Sequence, residues 1–452
     1  MKHLVNGSLK QAIQDLLVAA DDEKLMEFLN ELQPFDIATL LVEFEEPDQL
    51  KILRLSDPDI AAETLEHLDY DEQYRLLDHS PDNVTRDLLA RMSDDAVADL
   101  VMAIHPRQAQ EILRRVPKED LAGIKQLMTY PPDSAGGIMS LDYIAVREDW
   151  SVNRVINHFR KVGGKATVTS YVYVVDQQGR LAGVTSLKEV LLSDPDTLVS
   201  DIMYTKIVSV PADTHQEEAA KLLSHYDFVA LPVTDNSGRL VGVIAVDDIL
   251  DVIEEEDTED IHRLGGSLPL DEPYMSSSLF DLIRKRIGWL LVLFVGQGFT
   301  GNIMKNYEGM LAQIVALTFF IPLLTDTGGN SGSQASTLVI RAMALGEVTL
   351  KDLGRILWKE LRIGATLGLV MGTVGFIFSW VVGGSQAVAL TVAITLVVVL
   401  VVSSTIGAVL PLIGGCFGVD PAVFSAPLIT TIVDTTGLII YFAVASKILR
   451  LG

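Results

Sequence analysis

Residues 363–419 run for 57 positions without one charged or histidine side chain. A bilayer-crossing helix needs about 20 apolar residues, so this run holds two spans, joined at Gly383, Gly384, Ser385 and Gln386. Apolar stretches at residues 287–304, from 311 to about 344, and at 424–448 bring the expected number of spans to five. Charge divides the chain at the same place. Residues 1–283 hold 24 Lys and Arg against 53 Asp and Glu, whereas residues 284–452 hold 11 against 7. So acidic a soluble part argues for cation binding and against nucleic acid as a partner. Arg284, Lys285 and Arg286 before the first span fall on the same side as Arg341, Lys351, Arg355, Lys359 and Arg362 after the second. The positive-inside rule makes that side cytoplasmic and leaves the C-terminus, with Lys447 and Arg450, outside. A single cysteine, Cys416, supports no disulfide framework, which suits a cytosolic soluble half. The first residues lack an apolar core of signal-peptide length, so insertion is expected to rely on the later spans.

The soluble half repeats itself twice. DIATLLVEF begins at Asp36, DIAAETLEHL at Asp59 and NVTRDLLARM at Asn83, with Gln49, Gln73 and Val97 in like positions. Units of this size bury their apolar faces only by stacking, which predicts an α-helical superhelix over residues 1–131. A longer repeat then starts at Ile138 and again at Ile202. Each copy reads strand, acidic turn with glycine, strand, helix start, so two βαββα units should pair. These copies resemble tandem cystathionine-β-synthase (CBS) domains, over residues 132–200 and 201–246. Gly183, Thr185, Ser186 and Glu189 fit the nucleotide-contacting pattern of such domains; in the second copy Ala245 stands where a hydroxyl is usual. From Asp247 an acidic run reads as a helix closing at Gly265 and Gly266.

Two membrane features point to chemistry. Residues 323–337, LLTDTGGNSGSQAST, put three glycines among hydroxyl and amide side chains. They predict a break in the second span, with carbonyls near Gly328, Gly329 and Asn330 turned toward hydrated cations. Close packing by small residues is the alternative. Asp326 beside the break would cap the segment that follows, or face the ion. The second feature is Asp434, alone among ionisable residues in the last span and with no intramembrane base to pair with. A lone acid at that depth costs roughly 3 kcal/mol unless water, a partner or a cation meets it. One carboxylate per chain is too few for a dehydrated Ca²⁺ cage but suits Mg²⁺, which keeps most of its waters. No nucleophilic triad, phosphate loop or His/Cys metal set is present, so no enzymatic role is expected.

This order of domains, with GGNSGSQ and VDTTGLIIYF, resembles the MgtE family of magnesium channels along nearly the whole chain. The resemblance implies a homodimeric Mg²⁺ uptake channel of the cytoplasmic membrane, with N-terminal domains in the cytosol and Asp434 in the ion pathway. It implies an acidic linker (plug) helix and connection over 247–283, and a five-helix all-α pore domain over 284–452. It implies Mg²⁺ sensing by Asp95, Asp99, Glu217, Asp227, Asp248, Asp251, Glu256, Glu259 and Asp260, and ATP contacts at Glu189, Phe228 and the neighbouring Lys188. His215, where similar chains can carry an acid, and Ser333, where Asn is frequent, depart from the pattern. A CBS-regulated carrier of Mn²⁺, Co²⁺ or Ni²⁺, an exporter or a chloride channel are the rivals. The acid at mid-membrane weighs against an anion.

Overall fold

The computed structural model describes residues 2–450 apart from 165, 271–273 and 383–384, so the Gly383-Gly384 part of the expected turn lies outside the described residues. The chain forms two compact units, Met1–Ile253 and Glu254–Gly452.

The first unit opens with ten helices: α1 (Lys2–Ala19), α2 (Asp22–Asn30), α3 (Pro34–Leu41), α4 (Glu46–Leu55), α5 (Pro58–Glu66), α6 (Tyr70–His79), α7 (Asp82–Leu89), α8 (Asp94–Ala103), α9 (Pro106–Arg115) and α10 (Leu121–Leu127). From α3 to α9 a helix starts every 12 residues, half the repeat seen in the sequence. Proline opens the first turn of α3, α4, α5 and α9, where its missing N–H costs nothing. Helices this short do not stand alone in water. They stack: α3, α5, α7 and α9 pack in one row and α2, α4, α6 and α8 in another, around Leu40, Leu41, Ile52, Leu65, Leu76, Leu77, Leu88 and Leu89. The repeated glutamines serve the joints. Gln49 Nε2 donates to Leu41 O at 2.9 Å and Gln73 Nε2 to Leu68 O at 2.7 Å, tying α4 to the end of α3 and α6 to the turn that precedes it.

The paired βαββα units follow as expected. β1 (Ala145–Arg147), α11 (Val152–Val162), β2 (Tyr171–Val175), β3 (Leu181–Ser186) and α12 (Leu187–Leu192) make the first; α13 (Val199–Ile202) connects them. β4 (Val210–Pro211), α14 (Gln216–Tyr226), β5 (Ala230–Thr234), β6 (Leu240–Ala245) and α15 (Val246–Leu264) make the second. In each sheet the first strand runs parallel to the second and the second antiparallel to the third. Apolar residues of both copies, among them Tyr173, Val184, Leu240 and Val243, share one cluster. The long helix α15 starts directly after β6 and stops at Gly266, whose φ of +73° only glycine adopts freely.

In the second unit α16 (Leu279–Asn306) leads to the short α17 (Glu308–Gln313), a 3₁₀ segment Val315–Phe320, then α18 (Ile321–Ala344), α19 (Leu353–Val381), α20 (Gln386–Cys416) and α21 (Ala426–Leu449). Among the described residues four helices, not five, are long and apolar enough to cross a membrane: Leu279–Asn306, Leu350–Val381, Gln386–Cys416 and Ala426–Leu449. The second expected span differs in two ways. Its early part is interrupted before Ile321, and α18 then runs unbroken through Gly328, Gly329 and Asn330, where a break was expected. The glycines do not free carbonyls; they let neighbours approach. A Cβ at Gly328 would lie 2.7 Å from Val399, at Gly329 2.4 Å from Thr430 and at Gly332 2.9 Å from Ile429. At Gly407 of α20 it would stand 2.0 Å from Gly332 O. The hydroxyls that lower the apolar content of α18 are turned to partners: Ser331 Oγ lies 2.9 Å from Ser404 Oγ, and Ser333 and Ser336 donate to the carbonyls of Ala426 and Phe424.

Candidate functional site

Asp434 sits on α21 one turn beyond Thr430, the residue against which Gly329 of α18 packs. Its neighbour Val433 is buried toward α18, which leaves the Asp434 carboxylate half-buried on the adjoining face. Gln297, from α16, donates from Nε2 to Asp434 Oδ2 at 3.2 Å. Thr300 of α16 and Thr435 of α21 hold the same two helices together at 2.9 Å. A neutral amide orients this acid, and its charge is left for something else to meet. Asp326 of α18 lies within electrostatic reach of it. Because α18 begins at Ile321 with its cap at Phe320, Asp326 is inside the helix and caps nothing. Gly328 and Gly329 are buried in packing, and Asn330 is exposed on the same helix.

A second group of acids forms where the helical stack meets the CBS pair inside the first unit. Asp95 and Asp99 are one turn apart on α8, and Asp248 is in the first turn of α15. Burial raises the carboxyl of Asp95, even though Ser140 and Ser93 donate to it. Burial, then the Asp95 charge, pushes Asp99 up to about 7. Asp248 is pushed up to about 7 by burial, then by Asp95 and Asp247. Asp95 Oδ1 is buried without a hydrogen-bond partner. Asp95 raises both Asp99 and Asp248 and carries an orphaned oxygen itself, an arrangement that could hold a divalent cation. No three His, Cys, Asp or Glu side chains among the described residues stand close enough to chelate a bare metal ion.

The remaining expected sensor residues are engaged locally. Glu217 pairs with Lys221 at 2.5 Å, and His215 caps the same helix by accepting from Glu217 N at 3.3 Å. Asp227 ends α14 in the left-handed region, at φ 53°. Asp251 is exposed, and Glu256 and Asp260 are half-buried on α15. Glu259 pairs with Arg263, which also holds Asp420 in the loop before α21. Arg341 of α18 reaches Asp257 at 3.1 Å. Sequence reasoning missed Arg263, Asp420 and Gln297; an amide in mid-span was the one visible signal. At the expected nucleotide contacts, Glu189 forms a capping box with Ser186 and accepts from Tyr204 Oη at 2.6 Å, which holds its carboxyl below the usual range. Lys188 is exposed, and Phe228 stacks on Tyr226 with centroids 5.3 Å apart.

Residues 321–444 match the family described as "MgtE: Divalent cation transporter", residues 32–133 the MgtE intracellular N domain, and residues 135–195 and 199–255 the CBS domain. The chain is 38% identical to the magnesium transporter MgtE of Thermus thermophilus, over 98% of this chain and 99% of that one. It is 30% identical to that of Bacillus subtilis over the same shares. A crystal structure of the cytosolic domain of the Mg²⁺ channel MgtE in complex with ATP covers 54% of this chain and 99% of its own, with 39% identity and a TM-score of 0.52. The soluble part of a magnesium transporter covers 56% of this chain and 99% of its own, with 28% identity and the same TM-score. With a helical stack, a CBS pair and a multi-span helical domain in that order, and relatives matched from end to end, the chain belongs to the MgtE family of divalent cation transporters.

Proposed function

We propose that this protein is a homodimeric Mg²⁺ uptake channel of the cytoplasmic membrane, closed by cytosolic Mg²⁺. The observation that carries the reading is Asp434, an intramembrane carboxylate whose hydrogen-bond partner is the neutral amide of Gln297 and not a basic side chain. A two-fold axis beside it would set two such acids around one hydrated ion. As members of the family are transporters, no enzymatic role remains to assign. Residues 1–131, 132–200 and 201–246 are the cytosolic N domain and two CBS domains, and 247–283 the linker. The pore domain, 284–452, has α18 as its fifth span, carried by its packing against α20 and α21 instead of by its own apolar content. The acids at Asp95, Asp99 and Asp248, with Glu217, Asp227, Asp251, Glu256, Glu259 and Asp260, repel one another when Mg²⁺ is scarce. When it is plentiful they are bridged, and α15 closes the pathway. ATP, as bound by the related cytosolic domain, would enter near Glu189, Lys188 and Phe228. The named relatives favour Mg²⁺ over Mn²⁺, Co²⁺ and Ni²⁺ as cargo.

Patch-clamp recording with Mg²⁺ as the permeant cation tests this. Inward current that falls as cytoplasmic Mg²⁺ rises, and that Asp434→Ala strongly reduces, is the expected result. A well-folded protein that passes no Mg²⁺ current would return the chain to the exporter reading.

A further inference from the structure

The register of α18 against α21 reaches beyond Asp434. The helices run antiparallel, with Gly329 against Thr430 and Gly328 against Val433. One turn back along α18 from Gly329 is Asp326, and one turn forward along α21 from Thr430 is Asp434, so the packing brings the two carboxylates opposite each other. Asp326 is exposed and in the helix interior, where it serves no cap and joins no ion pair among those formed by the described residues. Gln297 holds one oxygen of Asp434, Oδ2, at 3.2 Å, and no hydrogen bond to Oδ1 is formed among the described residues.

From this register we infer that Asp326 is the second carboxylate of the cation pathway, a residue that sets preference for divalent over monovalent cations. The inference rests on the reading of Asp434 as the pathway acid. Two like charges one turn from a packed helix contact repel when a monovalent ion stands between them and are balanced within one protomer by a divalent one. Both act through the water shell that Mg²⁺ retains.

The test compares Asp326→Asn, Asp326→Glu and Asp434→Asn in the full-length protein, recording Mg²⁺ current and the Mg²⁺/Na⁺ permeability ratio at low cytoplasmic Mg²⁺. Asp326→Asn should lower the ratio by about fivefold or more, and Asp326→Glu should keep it within about twofold of the parent. Inhibition by cytoplasmic Mg²⁺ should persist in both. If Asp434→Asn lowers the ratio and Asp326→Asn leaves it unchanged, this inference is overturned and the pathway stands; if neither changes it, the reading of Asp434 falls as well. Should Asp326→Asn fail to reach the membrane, Asp326→Cys in a Cys416→Ser background gives the answer. Attachment of an anionic sulfonate should restore the ratio and attachment of a cationic ammonium should not; equal effects of the two would overturn the inference.

Discussion

At the scale of single residues, the acids of the first unit carry a pH signature. Asp99 and Asp248 bind protons up to about pH 7 when folded, whereas an unfolded Asp has released its proton by about pH 5. The folded unit therefore holds more protons than the unfolded one across that window, and its stability falls as pH rises from about 4 to about 7. On the proposed reading a divalent cation takes the place of the protons above that window. In chelator, the melting temperature of the purified protein should drop between pH 5 and pH 8, and Mg²⁺ should raise it more at pH 8 than at pH 5. Asp248→Asn should flatten both effects; a pH-independent Mg²⁺ shift would count against the cluster as a sensor. The pairing of these three acids was only half legible in the sequence. Asp95 and Asp99 share a helix face by spacing, but Asp248 is some 150 residues away, and only the docking of α15 beside α8 unites them.

Elements show where sequence reading succeeds and fails. The 24-residue period was visible because each helix repeats the same apolar pattern, and the strand-turn-strand order was visible from glycine and acid at the turns. The break in the second span was misread because glycines and hydroxyls look alike whether they disrupt a helix or pack one closely. Which of these holds depends on the facing helices, and no single stretch of sequence states that. The packing makes a prediction of its own. Gly407→Ala would force a Cβ against Gly332 O and should cost about 1–3 kcal/mol, seen as a lower melting temperature in detergent. Gly298→Ala, where nothing lies within 4 Å of the added carbon, is the control and should change little. Equal stability of the two variants would show that α18 and α20 are not so tightly apposed.

On the scale of the whole molecule, the second half of α15 is tied into the membrane unit by Arg263 to Asp420 and by Arg341 to Asp257. Trp289 Nε1 supports the same loop through Ser425 Oγ at 3.2 Å. If the proposed closure brings α15 over the pathway, these pairs hold it there. All four charged side chains are about a third or more exposed, so each pair is worth at most about 1 kcal/mol. Asp420→Asn should then raise the cytoplasmic Mg²⁺ needed for half-closure by no more than about fivefold, measured as an inhibition curve; a leftward shift would mean that the pair favours the open form. Arg263 already neutralises Glu259, so Glu259→Gln should shift the same curve less than Asp248→Asn.

The helix α16 has no buried residue among its 28, though it leads the chain into the membrane. During synthesis it meets the translocation machinery before any helix that could receive it exists, so its orientation rests on its own flanks. Arg284, Lys285 and Arg286 then act as the anchor that keeps 283 preceding residues on the side of the ribosome. Replacing all three with Ala should yield a fraction of molecules with protease-accessible N-terminal domains outside the cell, while the finished bundle of the remaining molecules is unaltered. Under the positive-inside rule, the direction in which the whole bundle is threaded depends on three residues, none of which is buried within it.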